Sequence, residues 1–381
     1  MRQSCALIAL LLVTCSMVAS AGPIPYIITN DDNATNTATF YTIDQSGGLT
    51  QAAVVSTGGF GISGGFFGMT RVAEINNAKQ ACVFVSDAGS SDIAGIDPAT
   101  LQLTGNFLGS AGDAGTSNGI GLAMNGKYLY ASFSDSGTIG TFKVKPGCTL
   151  NFVADTSAAG LHGGFVSGMA IHGNIMVVSY GDGSVESFNI SAGVAVSNGD
   201  AQNSTAAKKS FIFPNGIDIT KDGHYAIFGD TANSTIVEVS DISSGKLSPT
   251  VPYHLGGAIS SSYVRLSPDE SLLYIVNTQG DKVTAAFFDK GTGTVSKGCK
   301  SNYIKGWVKK WSYLGGLALG SNQGLGGSLY VAEFGGPSYL AVIDVTSSGG
   351  QCTLKESSHS PVNDPNSFGL LSVGTFPPRS F

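Results

Sequence analysis

A short β-rich run that ends in a polar residue recurs seven times along the chain, and no other feature limits the possible folds as strongly. The copies are rich in β-branched and aromatic residues and start roughly 45 to 57 residues apart. They occupy residues 26–30, 83–87, 128–132, 175–179, 225–230, 273–277 and 329–333. After a short turn, each is followed by a run of alternating apolar and polar residues, which is typical of a half-buried strand.

Most copies also follow a Gly-led apolar segment, so the repeating unit has three to four strands. A sheet of this size cannot bury both of its faces until neighbouring sheets stack against it. Seven stacked copies predict an all-β protein, a seven-bladed β-propeller of four-stranded antiparallel blades. A β-sandwich or a β-helix fits less well, because a β-helix repeats at about half this period or less.

The two ends of the chain predict how the ring closes. The first copy, at residues 26–30, has no Gly-led strand before it, whereas residues 365–371 near the C-terminus have no partner copy after them. Residues 365–371 also resemble residues 214–219, which precede the fifth copy. We therefore expect the C-terminal strand to join the N-terminal blade and close the ring without an open edge.

The N-terminus predicts export. Residues 1–21 combine a short basic end, an apolar core too short for an anchor, and small residues at Ala19 and Ala21. We interpret them as a signal peptide, which leaves residues 22–381 as a single propeller domain of a secreted or periplasmic protein. No later stretch approaches about 18 continuous apolar residues, so we expect no membrane span.

Four cysteines remain after the signal is removed, at Cys82, Cys148, Cys299 and Cys352. An even number in an exported chain predicts two disulfides. Three pairings are possible and the sequence does not choose among them, although the repeat spacing favours Cys82–Cys148 and Cys299–Cys352. Zinc is the rival interpretation, but the chain lacks C-x-x-C and H-x-x-x-H spacings.

The charge of the chain limits the class of partner. Only 12% of residues are charged, with 20 Lys and Arg and a formal net charge of −6. Nucleic-acid binders concentrate basic residues, so we expect no nucleic-acid partner. The expected partner is a small sugar-like ligand or an exported protein, and we expect a monomer.

Three phrases of the repeat resemble a known family. Residues 267–277 read Ser-Pro-Asp-Glu-Ser-Leu-Leu-Tyr-Ile-Val-Asn, residues 221–225 read Lys-Asp-Gly-His-Tyr, and residues 329–333 read Leu-Tyr-Val-Ala-Glu. They are similar to the repeat of the lactonase-type seven-bladed propellers, a group that includes 6-phosphogluconolactonase-like and YVTN-repeat proteins. The resemblance implies a seven-bladed ring and a hydrolase that acts on a lactone.

Candidate site residues follow from the direction of the strands. In a blade, the first strand starts at the top face and the second strand ends there, so these ends converge on the channel mouth. Amides and carboxylates at such a mouth suit a polyhydroxylated ligand. The predicted ligand-binding residues are Asn30, Asp87, Asn118, Asn215 and Asn277.

Lactone hydrolysis needs a base to activate water and a group to stabilise the oxyanion. We expect Asp230 and Glu333 to supply the base, with Asp87 as a further candidate. Arg265 lies three residues into a first strand, where it can stabilise negative charge or form a structural ion pair.

A second resemblance raises the question of a metal. The segment Pro214, Asn215 and Gly216, with Asp230 after it, is similar to part of the calcium-dependent gluconolactonases, which hold their ion with Glu, Asn and Asp. It implies calcium at Asn215, Asp230 and Glu333. The alternative to a lactonase is a non-catalytic propeller that binds a carbohydrate, a peptide or an exported protein.

Overall fold

The structure, a computed structural model, covers most of the chain after the predicted signal peptide. It describes residues 25–63, 70–110, 113, 119–204, 214–231, 236–256, 260–278, 282–300, 313–319, 327–334, 338–348, 350–367 and 372–376. Residues 1–21 and Asn118 lie outside these ranges. Within them, no helix has the length and apolar character needed to cross a membrane.

The described residues form short strands joined by tight turns. The first half of the chain contains β1 (Tyr26–Asn30), β2 (Thr37–Ile43), β3 (Leu49–Ser56), β4 (Val72–Asn77), β5 (Gln80–Asp87), β6 (Asp92–Asp97), β7 (Gln102–Leu108), β8 (Leu122–Met124), β9 (Tyr128–Phe133), β10 (Thr138–Lys145), β11 (Thr149–Ser157), β12 (Val166–His172), β13 (Ile175–Tyr180), β14 (Ser184–Asn189), β15 (Val196–Ser197) and β16 (Gln202–Asn203). The second half contains β17 (Pro214–Ile219), β18 (Tyr225–Asp230), β19 (Ile236–Asp241), β20 (Val251–His254), β21 (Ser261–Leu266), β22 (Leu272–Asn277), β23 (Lys282–Asp289), β24 (Thr294–Lys300), β25 (Tyr313–Leu319), β26 (Ser328–Phe334), β27 (Ser338–Ser348), β28 (Gln351–Glu356), β29 (Val362–Asp364) and β30 (Ser372–Phe376).

These strands make seven antiparallel sheets, which confirms the predicted seven-bladed propeller. Blade 1 contains β30 and β1–β3, and blade 2 contains β4–β7. Blade 3 contains β8–β11, blade 4 β12–β16, blade 5 β17–β20, blade 6 β21–β24 and blade 7 β25–β29. The first strand of each sheet contacts the first strand of the next, from β30 through β4, β8, β12, β17 and β21 to β25 and back to β30. These seven strands therefore line the central channel.

The ring closes as predicted, through the C-terminal strand. β30 pairs with β1, with Ile28 opposite Gly374. The expected start of this strand was wrong, because residues 365–367 are not in a strand. Residues 368–371 lie outside the described ranges, and β30 runs from Ser372 to Phe376. The start of the predicted segment forms a turn instead, in which Asp364 accepts the backbone N–H of Asn366 at 3.2 Å. A short polar side chain that bonds its own backbone in this way favours a turn over a strand.

The core lies between blades rather than inside them. In β22, Leu273 and Ile275 pack toward blade 5, whereas Leu272 and Val276 pack toward blade 7. The second strand of a blade is thus buried on both faces, which explains its nearly continuous apolar sequence. Burial of apolar area at each of these interfaces stabilises the ring.

Two disulfides cross between neighbouring blades. Cys82 of blade 2 bonds Cys148 of blade 3, and Cys299 of blade 6 bonds Cys352 of blade 7. The Cα atoms are 5.3 Å apart in both pairs, within the usual range for a disulfide. The structure therefore contains the pairing that the repeat spacing favours.

Candidate functional site

Asn30 and Asp87 end the second strands of blades 1 and 2, and their side chains are buried between those blades. Nδ2 of Asn30 donates to the carbonyl of Ser86 at 2.7 Å. Oδ1 of Asp87 accepts Nδ2 of Asn36 at 2.6 Å and the hydroxyl of Thr57 at 2.8 Å. Burial raises the pKa of Asp87 well above its usual value. These two predicted ligand-binding residues hold neighbouring blades together, and a role in ligand binding stays a prediction.

Asn277 is also buried, and it bonds to the neighbouring strand of its own blade. Nδ2 of Asn277 donates to the hydroxyl of Thr284 at 3.0 Å and to the carbonyl of Lys282 at 3.1 Å. Both partners belong to β23, the strand next to it. The amide therefore stabilises the pairing of the second and third strands at this end of the blade.

Asp230 and Glu333, the predicted bases, are buried in different blades. Asp230 is fully buried in blade 5, where its carboxyl interacts with that of Glu238. Burial and the nearby charge of Glu238 raise the pKa of Asp230 well above its usual value. Glu333 is buried in blade 7, opposite Tyr339. The structure does not bring the two carboxyls together, because blade 6 lies between them.

Asn215 lies at the start of β17, where neighbouring first strands come very close. The hydroxyl of Ser167 donates to Oδ1 of Asn215, and the hydroxyl of Ser179 donates to its backbone carbonyl at 2.7 Å. Strands β12, β17 and β21 each carry a bulge near this end. Hydroxyl and amide groups of adjacent blades therefore meet at the channel mouth.

These positions do not fit the calcium site that the second resemblance implies. Oδ1 of Asn215 already accepts a hydroxyl, and Asp230 and Glu333 lie two blades apart. Among the described residues, no three or more His, Cys, Asp or Glu side chains form a group able to hold a metal.

Arg265 belongs to β21, one of the first strands that line the channel. Its guanidinium Nη1 is 3.6 Å from Oδ1 of Asp218 on β17, and its side chain is 32% exposed. Oδ2 of Asp218 accepts the backbone N–H of Leu266 at 2.8 Å, and Oδ1 accepts that of Ile219 at 3.0 Å. The carboxylate is fixed by the backbone of two strands, so it holds a partly exposed cation in a defined place.

Glu74 on β4 of blade 2 completes a set of charged groups on the first strands. Its Oε1 atom is buried and has no hydrogen-bond partner in the described part of the chain. Burial raises its pKa to about 8, and the positive charge of Arg265 acts in the opposite direction. Arg265 therefore lies within electrostatic reach of Glu74, although the two residues are far apart in sequence.

Glu74 was not predicted, because the candidates came mainly from the starts of first strands and the ends of second strands, and Glu74 lies inside a first strand. The sequence nevertheless contains one indication that Glu74 is unusual. Glu74 is the single charged residue in a run that otherwise reads Val72, Ala73 and Ile75, and it sits inside a first strand as Arg265 does. A lone carboxyl in an apolar strand is expensive to bury, so such a residue is a candidate for function.

The arrangement combines a proton acceptor with a cation. A carboxyl whose pKa is about 8 exchanges protons near neutral pH, which is the range where a general base is most effective. A guanidinium carries a permanent positive charge and can stabilise an oxyanion. The channel wall can therefore support attack of water on a carbonyl carbon.

Comparison with known proteins places the chain in a family. A family model described as "Lactonase, 7-bladed beta-propeller" matches residues 83–376. A "putative 6-phosphogluconolactonase" from Bacteroides uniformis superposes with a TM-score of 0.67 at 13% identity, covering 92% of this chain and 99% of that protein. A second protein of that description, from Bacteroides fragilis, has a TM-score of 0.67 at 13% identity, covering 94% and 99%.

A periplasmic gluconolactonase of Pseudomonas aeruginosa is also similar, with a TM-score of 0.57 at 16% identity, covering 72% of this chain and 81% of that protein. Identities this low show a common fold only. No curated protein sequence matches the chain. The family model covers well over half of the sequence and agrees with the seven sheets of the structure. The chain therefore belongs to the lactonase family of seven-bladed β-propellers.

Proposed function

We propose that this protein is an exported lactonase that hydrolyses a sugar-type lactone in its central channel. The observation that carries the proposal is the placement of two charged side chains on first strands: Glu74 lies on β4 against Gly374 of β30, within electrostatic reach of Arg265 on β21. Membership of the lactonase family supports the reaction class. The names of the similar structures support a gluconolactone-like substrate.

In the proposed reaction, the Glu74 carboxylate removes a proton from water as the water oxygen attacks the lactone carbonyl carbon. The carbonyl oxygen becomes an oxyanion, which the Arg265 guanidinium stabilises. When the intermediate collapses, the bond between the carbonyl carbon and the ring oxygen breaks. The proton held by Glu74 passes to that ring oxygen, so the product is an open hydroxy acid and the carboxylate is regenerated.

The channel mouth supports a hydroxyl-rich substrate. The side chains of Ser167, Asn215 and Ser262 are buried at the starts of adjacent first strands in blades 4, 5 and 6, and Ser167 donates to Asn215. Hydroxyl and amide groups both donate and accept hydrogen bonds, so they match the hydroxyls of a sugar ring. The predicted ligand role of Asn215 belongs to this part of the proposal.

Export is supported by two observations. The structure holds two interblade disulfides, which persist in oxidising compartments and are rare in the cytosol. The similar gluconolactonase of Pseudomonas aeruginosa is named as periplasmic. Together with the predicted signal peptide at residues 1–21, they favour a secreted or periplasmic protein.

The test is a pH-stat assay of the chain from Gly22 onward against several aldonolactones, corrected for spontaneous hydrolysis. We expect Glu74→Gln and Arg265→Met each to lower kcat/KM by about a hundredfold or more. Asp289→Asn, an exposed carboxyl of similar chemistry, serves as the control and should retain activity. Asp230→Asn and Glu333→Gln are measured in parallel. If turnover is lost only in these two variants, the base is Asp230 or Glu333 and not Glu74.

The hydroxyl-rich mouth also favours a second candidate, a non-catalytic carbohydrate-binding propeller. Such a protein would bind a sugar or an open aldonic acid by calorimetry and would show no hydrolysis above the spontaneous rate. Binding would then weaken on Asn215→Ala and would be insensitive to Glu74→Gln. The two variants thus separate the candidates.

A further inference from the structure

The closing strand β30 leaves a space that the Glu74 carboxyl fills. A Cβ atom built on Gly374 would lie far inside contact distance of Oε1 of Glu74 and 2.8 Å from Cγ1 of Val72. Gly374 is buried and its neighbour in β1 is Ile28. Only a residue without a side chain leaves room for the carboxyl at this position.

The same strand also bonds the carboxyl. The backbone of Thr375 forms a hydrogen bond to the Glu74 carboxyl. This bond lowers the pKa of Glu74, whereas burial raises it. β30 is the first strand of blade 1 and β4 is the first strand of blade 2, and the two strands contact each other. One backbone therefore supplies both the space and a hydrogen bond for the Glu74 carboxyl.

We propose that β30 positions the Glu74 carboxyl, so that closure of the ring and assembly of the site are one event. Gly374 is the positioning residue, and the strand that carries it comes from the opposite end of the chain. This inference rests on the proposed lactonase function, in which Glu74 is the base. The C-terminal strand would thus have two roles, because it closes the ring and also positions the catalytic base.

The contacts predict how the protein responds to a methyl group at Gly374. The nearest atoms are side-chain atoms of Glu74 and Val72 rather than backbone, so the side chains can move while the strand stays paired. The carboxyl must then turn away from β30 toward the channel. It loses burial, which is the largest cause of its raised pKa, so its pKa should fall toward the ordinary value of a glutamate.

The test compares Gly374→Ala with the wild type in the lactone assay. We expect kcat to fall about tenfold to a hundredfold with KM changed much less, because the base is displaced by about an ångström. The rise of activity with pH, centred near the Glu74 pKa of about 8 in the wild type, should move to lower pH by one unit or more. Gly291→Ala is the matched control, because it adds the same methyl group at an exposed turn of blade 6, where the new Cβ atom meets only the end of the Asp289 side chain.

A second readout needs no activity. The change of unfolding free energy from pH 5 to 8, measured with urea, includes the proton release of Glu74, so Gly374→Ala should reduce that change as Glu74→Gln does. An unchanged pH profile together with an unchanged unfolding slope would overturn the inference. A wild type without lactone turnover would overturn the proposed function, while the unfolding slopes would still decide whether β30 sets the ionisation of Glu74.

Discussion

Asp218 and Arg265 are joined across two blades, with Oδ1 of the carboxylate 3.6 Å from Nη1 of the guanidinium. The other carboxylate oxygen accepts the backbone N–H of Leu266, the residue that follows the arginine. One carboxylate therefore holds both the charged side chain and the strand that carries it. Asp218 acts on the proposed reaction only through Arg265, as a positioning residue.

Asp218→Asn tests this relationship. The amide oxygen can still accept the backbone N–H of Leu266, so the fold should persist, but the charge that holds Arg265 is lost. We expect kcat/KM for an aldonolactone to fall about tenfold, because a misplaced cation stabilises the oxyanion less well. The midpoint of the pH profile should stay near 8, since Glu74 keeps its buried surroundings. Unchanged kcat/KM would contradict the positioning role.

The stability of the protein should decrease as the pH rises from 5 to 8. Glu74 and Asp31 have folded-state pKa values of about 8 and about 7, above their ordinary values of 4.5 and 3.8. The folded protein therefore holds protons that the unfolded chain has already released, and it loses stability as those protons leave. Urea unfolding at four pH values measures this trend.

Glu74→Gln removes one of these groups. The variant should show a smaller loss of unfolding free energy between pH 5 and 8 than the wild type. Asp289→Asn is the control, because the pKa of exposed Asp289 is lowered and its contribution changes only in more acidic solution. Equal slopes in the wild type and Glu74→Gln would show that the Glu74 carboxyl is not buried in solution.

The seam between blades 1 and 7, where Thr29 and Asp31 meet Asp364, should become less stable above neutral pH. The hydroxyl of Thr29 donates to Asp31 at 2.6 Å and lies 3.2 Å from Oδ2 of Asp364, so two buried carboxyls share one donor. Burial and the charge of Asp364 raise the pKa of Asp31 to about 7, so both groups are charged only at higher pH. The buried Tyr41 hydroxyl, whose own pKa is raised, also faces this pair.

Hydrogen exchange followed by mass spectrometry checks the seam. After correction for the intrinsic effect of pH, the amides of β1 and β30 should exchange about tenfold faster at pH 8 than at pH 6 in the wild type. Asp364→Asn should remove most of this difference, because it removes one of the two charges. Asp44→Asn, at an exposed turn of blade 1, should leave the difference unchanged. A seam with equal protection at both pH values would contradict the prediction.

Gly216→Ala should destabilise the ring. A Cβ atom at Gly216 would lie 2.6 Å from the backbone oxygen of Ser262 and 3.0 Å from Cα of Tyr263, and backbone atoms of the next blade cannot yield as a side chain can. We expect a cost of about 2 kcal/mol and a Tm lower by roughly 5 °C. Gly291→Ala, which meets only the end of the Asp289 side chain, is the control. Equal Tm values for the two variants would refute the close approach.

The local pattern of the sequence was sufficient to predict the blades. The strand from Tyr26 to Asn30 and that from Tyr225 to Asp230 have the predicted limits, because β-branched runs bounded by turn residues express preferences of the chain within a few residues. Closure by a C-terminal strand also followed, since one strand lacked a partner at each end. The turn after Asp364 was not predicted, because a side-chain bond to the backbone is a local choice that the repeat does not specify.

The position of the site depended on contacts between blades. Asn30 and Asp87 end strands as predicted, yet their side chains are buried among groups of the neighbouring blade, and no strand pattern specifies those partners. Glu74 acquires its raised pKa from burial, with Gly374 from the far end of the chain against its carboxyl, and the positive charge of Arg265 opposes that rise. Strand periodicity is a property of neighbouring residues, so the sequence alone determined the architecture. Burial and electrostatics are sums over distant residues, and only the closed ring decided them.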